Sequence, residues 1–125
     1  MCFRCSNKLE DSKWWVIDWK SNFISGSDNS NCLPINYNYE YMRDEMIKHH
    51  YPLQSHLYLL ALHRLLKWRL KNYQPHKNLG GYIYLFLKGL PDIELFKNSN
   101  SNSISPGIFI SKAPLKRINY LDNIF

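Results

Sequence analysis

The triplet Asp18-Trp19-Lys20 ends a short apolar run, residues 14–20, and sets one carboxylate and one ammonium two positions apart before a polar turn. In an extended strand side chains alternate between faces, so these two project to one side with their Cα atoms roughly 6.6 Å apart, at about 3.3 Å per residue. Val16 would share that face, while Ile17 and Trp19 would turn to the opposite layer and anchor the strand by burial. Asp18 offers a hard oxygen ligand for Mg²⁺, and Lys20 a compact cation able to polarise a phosphate oxygen or orient an attacking water. Together they suit phosphodiester hydrolysis, although a positioned Mg²⁺ needs more fixed ligands than one carboxylate. Taken alone, the triplet reads more plainly as an exposed ion pair at a strand edge, worth at most about 1 kcal/mol.

Other polar residues fall at spacings that a helix would align. Gln54 and Tyr58 stand at i and i+4, one above the other, with polar ends able to reach a backbone or a phosphate at the edge of a sheet. Arg64, Lys67 and Lys71, at i, i+3 and i+7, form a basic stripe suited to DNA phosphates. Cys2 and Cys5 have the C-x-x-C spacing of a redox or half-zinc site, but Cys32 is the one further cysteine and no matching pair exists. The five histidines, His49, His50, His56, His63 and His76, make no H-E-x-x-H pattern and read as surface or second-layer residues. No Walker loop or G-x-G-x-x-G follows any strand, and Gly80-Gly81 reads as a helix stop.

The elements that must position these groups follow from periodicity and punctuation. The β-branched and aromatic run 14–20, preceded by the turn-like "SNKLEDSK", predicts the second arm of a hairpin whose first arm is the stub 1–4. Residues 25–38, rich in Ser and Asn and carrying Pro34, read as loop, and a first helix is expected over 39–50. Pro52 then takes a first-turn position, and the run to Tyr73 continues as a long helix with no breaker, apolar on nearly every side in its first half. "YIYLFLKG" predicts a strand covered on both faces. A low-complexity loop "KNSNSNSIS", a short strand at 107–111 and a terminal helix over 114–124 complete the series. Strands alternating with helices predict an α/β or α+β layer architecture.

Bulk composition narrows the class without choosing a function. A chain of 125 residues, 45% hydrophobic, has material for one modest core, so a single domain or a piece of one over 1–125 is expected. The net charge of +6 favours an anionic partner, although an AT-rich genome would also enrich Lys, Asn, Ile and Tyr. No apolar run is long enough to span a bilayer and the N-terminus lacks the apolar core of a signal peptide, which predicts a soluble, cytoplasmic protein with no membrane partner.

Three segments in order, "VIDWKSN", "HHYPLQSHLYLLALHRLLKWRL" and "GGYIYLFLKG", together resemble the C-terminal nuclease domain of the RecB, or beta, subunit of exodeoxyribonuclease V, within the PD-(D/E)XK nuclease superfamily. The resemblance covers most of the chain, with the Asn/Ser-rich loops least similar. It implies a restriction-endonuclease-like mixed sheet flanked by helices and Mg²⁺-dependent cleavage of DNA ends in recombinational repair. It also implies other subunits of a RecBCD-like complex and the strand-exchange recombinase as partners. Residue by residue it makes Asp18 the acidic metal ligand of the D-x-K motif, Lys20 its catalytic lysine, and Gln54 with Tyr58 the Q-x-x-x-Y helix motif. The family also places a metal-binding aspartate in a "GxxD" context on the preceding strand, and a histidine ligand far upstream. Aligning Phe3-Arg4 with the end of that strand puts the aspartate just before Met1, and Glu10 and Asp11 fall in the hairpin turn. The resemblance therefore implies a partial domain, incomplete on its N-terminal side and weak or inactive alone; the alternative is a non-catalytic DNA- or protein-binding remnant.

Overall fold

The computed structural model describes residues 2–5, 12–24, 34–91 and 105–125. Four strands, β1 (Cys2–Cys5), β2 (Lys13–Lys20), β3 (Leu79–Phe86) and β4 (Ile108–Lys112), make one sheet in the order β1-β2-β3-β4. The helices are α1 (Tyr39–Lys48), α2 (Tyr51–Arg69), α3 (Pro75–Asn78) and α4 (Leu115–Ile124), with 3-10 turns at Pro34–Tyr37 and Leu87–Gly89. The hairpin is present: β1 and β2 are antiparallel, Cys2 opposite Val16 and Cys5 opposite Lys13. β3 and β4 also run antiparallel, since the Phe86 N–H donates to the Gly107 carbonyl (2.8 Å) and the Ala113 N–H to the Gly80 carbonyl (2.9 Å) at opposite ends of the pair. The sheet is mixed, and the chain between β2 and β3 makes the long helical excursion that parallel neighbours require. The expected α/β class is thus observed. Residues 25–33 of the loop after β2, the low-complexity loop up to residue 104, and Glu10 with Asp11 lie outside the described residues.

By packing the chain divides into two compact units, 1–18 with 50–83 and 110–125, and 19–49 with 84–109. In the first unit Leu59, Leu60, Leu62 and Leu66 of α2 are buried, as are Val16, Leu79 and Ile118. Burial of each such side chain stabilises by about 1.5–3 kcal/mol. Helix α2 begins across His50, a left-handed residue (φ 56°) whose carbonyl accepts from the N–H groups of Leu53 (3.1 Å) and Gln54 (3.4 Å). Pro52 sits in the first turn, where its missing N–H has no partner to lose.

Two expectations are corrected here. The long helix does not reach Tyr73: it ends at Arg69, and Leu70 is extended (φ −105°, ψ 121°) and buried. Placing Leu70 in the core outweighs the local helical preference of residues 70–73. Nor do Gly80-Gly81 stop a helix, because α3 intervenes and both glycines lie within β3. A Cβ on Gly81 would stand 2.0 Å from the Ser111 carbonyl oxygen, so β3 and β4 approach too closely for any side chain there. Asn78, buried at the end of α3, accepts from the Gln74 N–H (2.9 Å) and donates to the Ser12 carbonyl (3.2 Å), which satisfies both ends of its amide.

The second unit is built on Tyr37, Met42, Met46, Tyr84, Phe86 and Phe109, all buried. The Tyr37 hydroxyl donates to the Asn22 carbonyl (3.0 Å) and accepts the Ile24 N–H (3.2 Å), which fixes the segment that leaves β2. Asn38 caps α1 by accepting the Tyr41 N–H (3.0 Å). Gly107 has φ +79°, a conformation that a side chain disfavours, at the turn into β4.

Candidate functional site

Asp18 and Lys20 occupy the last turn of the pleat in β2, at positions i and i+2. Asp18 is half-buried, whereas Lys20 is only 9% exposed. The predicted division of the strand's faces is reversed. Val16 and Lys20 are the buried members, Ile17 is intermediate and Trp19 is 52% exposed, so the strand is held by the face that carries the D-x-K pair. A lysine can be buried there because its Nζ lies 5.0 Å from the centroid of the Tyr84 ring. The ring's negative face offsets part of the cost of taking an ammonium out of water.

Gln54 and Tyr58, one turn apart on α2, are joined: the Gln54 Nε2 donates to the Tyr58 hydroxyl at 3.1 Å. Gln54 is half-buried and Tyr58 exposed. The i, i+4 spacing read from the sequence therefore produces a fixed polar pair, each side chain limiting the rotamers of the other.

The basic residues behave differently from a free stripe. Arg64 Nε donates to Asp122 Oδ1 (2.7 Å), Lys67 Nζ to Asp122 Oδ2 (3.2 Å), and Arg64 also reaches the Asp122 carbonyl (3.3 Å). These hydrogen bonds, Arg64's first and Lys67's second, pull the Asp122 carboxyl down to about 2. Two of the three cations thus dock α4 on α2. Lys71 is off the stripe, in the turn beyond the end of α2, because the helix stops at Arg69.

Of the two readings of the histidines, surface or second layer, His63 does not fit the first. It is buried, with Nδ1 2.8 Å from the Tyr73 hydroxyl and Nε2 3.5 Å from Asp122 Oδ2. Burial pushes its pKa below the ordinary value against the pull of Asp122, and burial raises the Tyr73 hydroxyl to about 12. A cleft of about 360 Å³ beside this cluster is lined by His63, Lys67, Tyr73, Asn119 and Asp122. Sequence reasoning missed Asp122, Tyr73 and Tyr84 as partners. Asp122 lies 58 residues from Arg64, and no local spacing announces such a pairing.

Among the described residues no three His, Cys, Asp or Glu side chains gather where they could hold a metal ion. Asp18 contributes one carboxylate from the D-x-K strand, which is short of the fixed ligands that a positioned Mg²⁺ takes. The described residues alone do not complete such a site.

Fold and residues together define an α/β protein with an open mixed sheet, an acid and a buried lysine at the end of its second strand, and a Gln–Tyr pair on its longest helix. No protein-family model matches the chain. Its sequence is similar to the RecBCD enzyme subunit RecB of Buchnera aphidicola subsp. Baizongia pistaciae, 34% identical over 117 residues, which is 94% of this chain and 9% of that protein. The same subunit of Haemophilus influenzae is 32% identical over 115 residues, 92% of this chain and 8% of the relative. That of Escherichia coli K12 is 40% identical over 80 residues, 64% of this chain and 6% of the relative. The chain is a RecB homologue, aligned with one portion of that much longer subunit. It spans less than a tenth of the length of these curated relatives. Among the described residues no helix is long and apolar enough to cross a membrane.

Proposed function

We propose that the chain is the nuclease part of a RecB-like subunit, serving a Mg²⁺-dependent exodeoxyribonuclease that acts on DNA ends in double-strand break repair and recombination. Its partners in this reading are DNA, the other subunits of a RecBCD-like complex and the strand-exchange recombinase. One observation carries it: a D-x-K strand end with its lysine buried, in a chain homologous to RecB. Asp18 would hold Mg²⁺ together with ligands from outside the described residues, and the metal would supply Lewis-acid polarisation of the phosphate and an activated water. The Lys20 ammonium would face the negative charge that develops on the cleaved phosphate. Gln54 and Tyr58, already bonded to each other, would orient the substrate backbone from α2.

Because the described acids do not complete a metal site, the purified chain is expected to show no Mg²⁺-dependent DNase activity. Exchanged for the matching portion of RecB in the Escherichia coli RecBCD enzyme, it is expected to support end-dependent DNA cleavage that falls at least about a hundredfold with Asp18→Ala or Lys20→Met. A chimera that assembles but cuts no DNA counts against the nuclease reading, and robust activity of the free chain counts against the incomplete ligand set.

A second reading, a non-catalytic DNA- or protein-binding remnant of the domain, fits the finding that among the described residues no three His, Cys, Asp or Glu side chains gather to hold a metal ion. In it the cations matter more than Asp18, and Lys71 more than Arg64 or Lys67, which are engaged with Asp122. The slope of log affinity for duplex DNA against log salt should then fall by about one with Lys71→Ala. An unchanged slope removes Lys71 from any phosphate contact.

A further inference from the structure

We infer that Phe23 and Lys88 form a nucleotide platform beside the D-x-K pair, the Phe23 ring stacking one base of a single-stranded DNA end and Lys88 taking an adjacent phosphate; the inference rests on the nuclease reading above. Both residues, with Lys20, belong to the second compact unit. Phe23 is 55% exposed although its neighbour Ile24 is buried, and the Lys88 Nζ lies 5.5 Å from the centroid of the Phe23 ring. A lone exposed aromatic is ordinary on a protein surface. This one is held from both sides. The buried Tyr37 donates its hydroxyl proton to the Asn22 carbonyl (3.0 Å) and accepts the Ile24 N–H (3.2 Å), so the residues flanking Phe23 are tied to one side chain. The same ring seats the 3-10 turn that carries Lys88, since a Cβ on Gly89 would stand 2.2 Å from Tyr37 Cγ. One buried tyrosine therefore fixes both members of the pair.

An aromatic face beside a cation suits single-stranded nucleic acid, because an unstacked base offers its π-face to the ring and its phosphate to the charge. Bases inside a duplex already stack on one another and offer no such face. Only three residues lead from Lys20 to Phe23, a span of at most about 11 Å, so the stacked base belongs to a nucleotide close to the linkage that Lys20 faces. A cleft of about 240 Å³ beside Phe23 is lined by Tyr41, Asp44, Glu45 and Lys48, and its two carboxylates repel a phosphate. The strand's backbone therefore passes on the Lys88 side of the ring. The flexible lysine stem lets the ammonium leave the ring for that phosphate as the base arrives.

Fluorescence anisotropy of a labelled oligothymidylate titrated with the full chain, with Ca²⁺ in place of Mg²⁺, tests this. Phe23→Ala should weaken binding by about five- to a hundredfold, and Phe23→Trp should retain it. Lys88→Ala should reduce the slope of log affinity against log salt by about 0.7. Both side chains are exposed, so the variants should keep the wild-type urea midpoint. An abasic strand of the same length removes the stacking partner and keeps the phosphates. Against that strand Phe23→Ala should make no difference, a result that a merely structural role for Phe23 would not give. Equal affinity of the wild type and Phe23→Ala for the oligothymidylate overturns the platform, as does an equal loss on the abasic strand, and an unchanged salt slope in Lys88→Ala overturns the role of Lys88. In each of these cases the wild type still binds and the nuclease reading stands. A wild-type chain with no affinity for single-stranded DNA instead removes that reading and the platform together.

Discussion

Asp122 and His63 share one cluster and respond to acid for opposite chemical reasons. Asp122 titrates near 2 in the folded chain because Arg64 and Lys67 hydrogen-bond its charged form, against an ordinary value of 3.8. A depressed carboxylate stabilises the fold above the unfolded value, and that contribution is lost as pH falls from about 4 towards 2. His63 is a base whose burial lowers its pKa below 6.5, so the unfolded chain takes up the proton first. Its effect on stability is absent above about pH 6.5 and becomes a penalty as pH falls below that value. Thermal melts should therefore show two separate acid windows. His63→Gln should flatten the upper one, and Asp122→Asn should lower the melting midpoint at pH 7 yet converge with the wild type near pH 2. A wild-type melting midpoint unchanged between pH 7 and pH 5 would contradict the assignment of His63.

At the scale of elements, the exit from β2 is tied down by the Tyr37 phenol, beside a hydrogen bond from the Asn22 amide to Glu45 of α1 (3.0 Å). Tyr37, in the 3-10 turn before α1, is bonded to both Asn22 and Ile24 just past the D-x-K triplet. Tyr37→Phe would leave the buried Ile24 N–H without that acceptor, at a cost of about 1–3 kcal/mol, measurable as a lower urea midpoint at constant slope. A loss below about half a kcal/mol would show that the segment is held by other contacts. The helix ends illustrate the same competition between local and distant forces. Asn38 caps α1 through its own neighbour Tyr41, a local signal, while α2 ends where Leu70 is drawn into the core and the turn beyond it brings Tyr73 to His63.

For the whole molecule, the described surface keeps an apolar stripe on α2. Leu53, Leu57, Leu65 and Trp68 are all exposed, Trp68 by 76%. Such a stripe predicts concentration-dependent association in light scattering, which Leu57→Lys with Leu65→Lys should suppress while stability moves by less than about 0.5 kcal/mol each. Association unaffected by these changes would place the sticky surface elsewhere. The sequence by itself determined most of the strands and helices, though not α3, the end of α2 or the start of β3, because alternation, helical spacing, proline and aromatic runs are local properties of the chain. It likewise placed Asp18 with Lys20 on one strand and Gln54 with Tyr58 one helical turn apart, since both spacings follow from backbone geometry alone. Only the tertiary structure decided which face of β2 is buried, that Gly80 and Gly81 belong to a close strand pairing, and that Arg64 and Lys67 are spoken for by Asp122. Each of those outcomes depends on groups distant in sequence meeting at a shared surface, and no periodicity in a single segment carries that information.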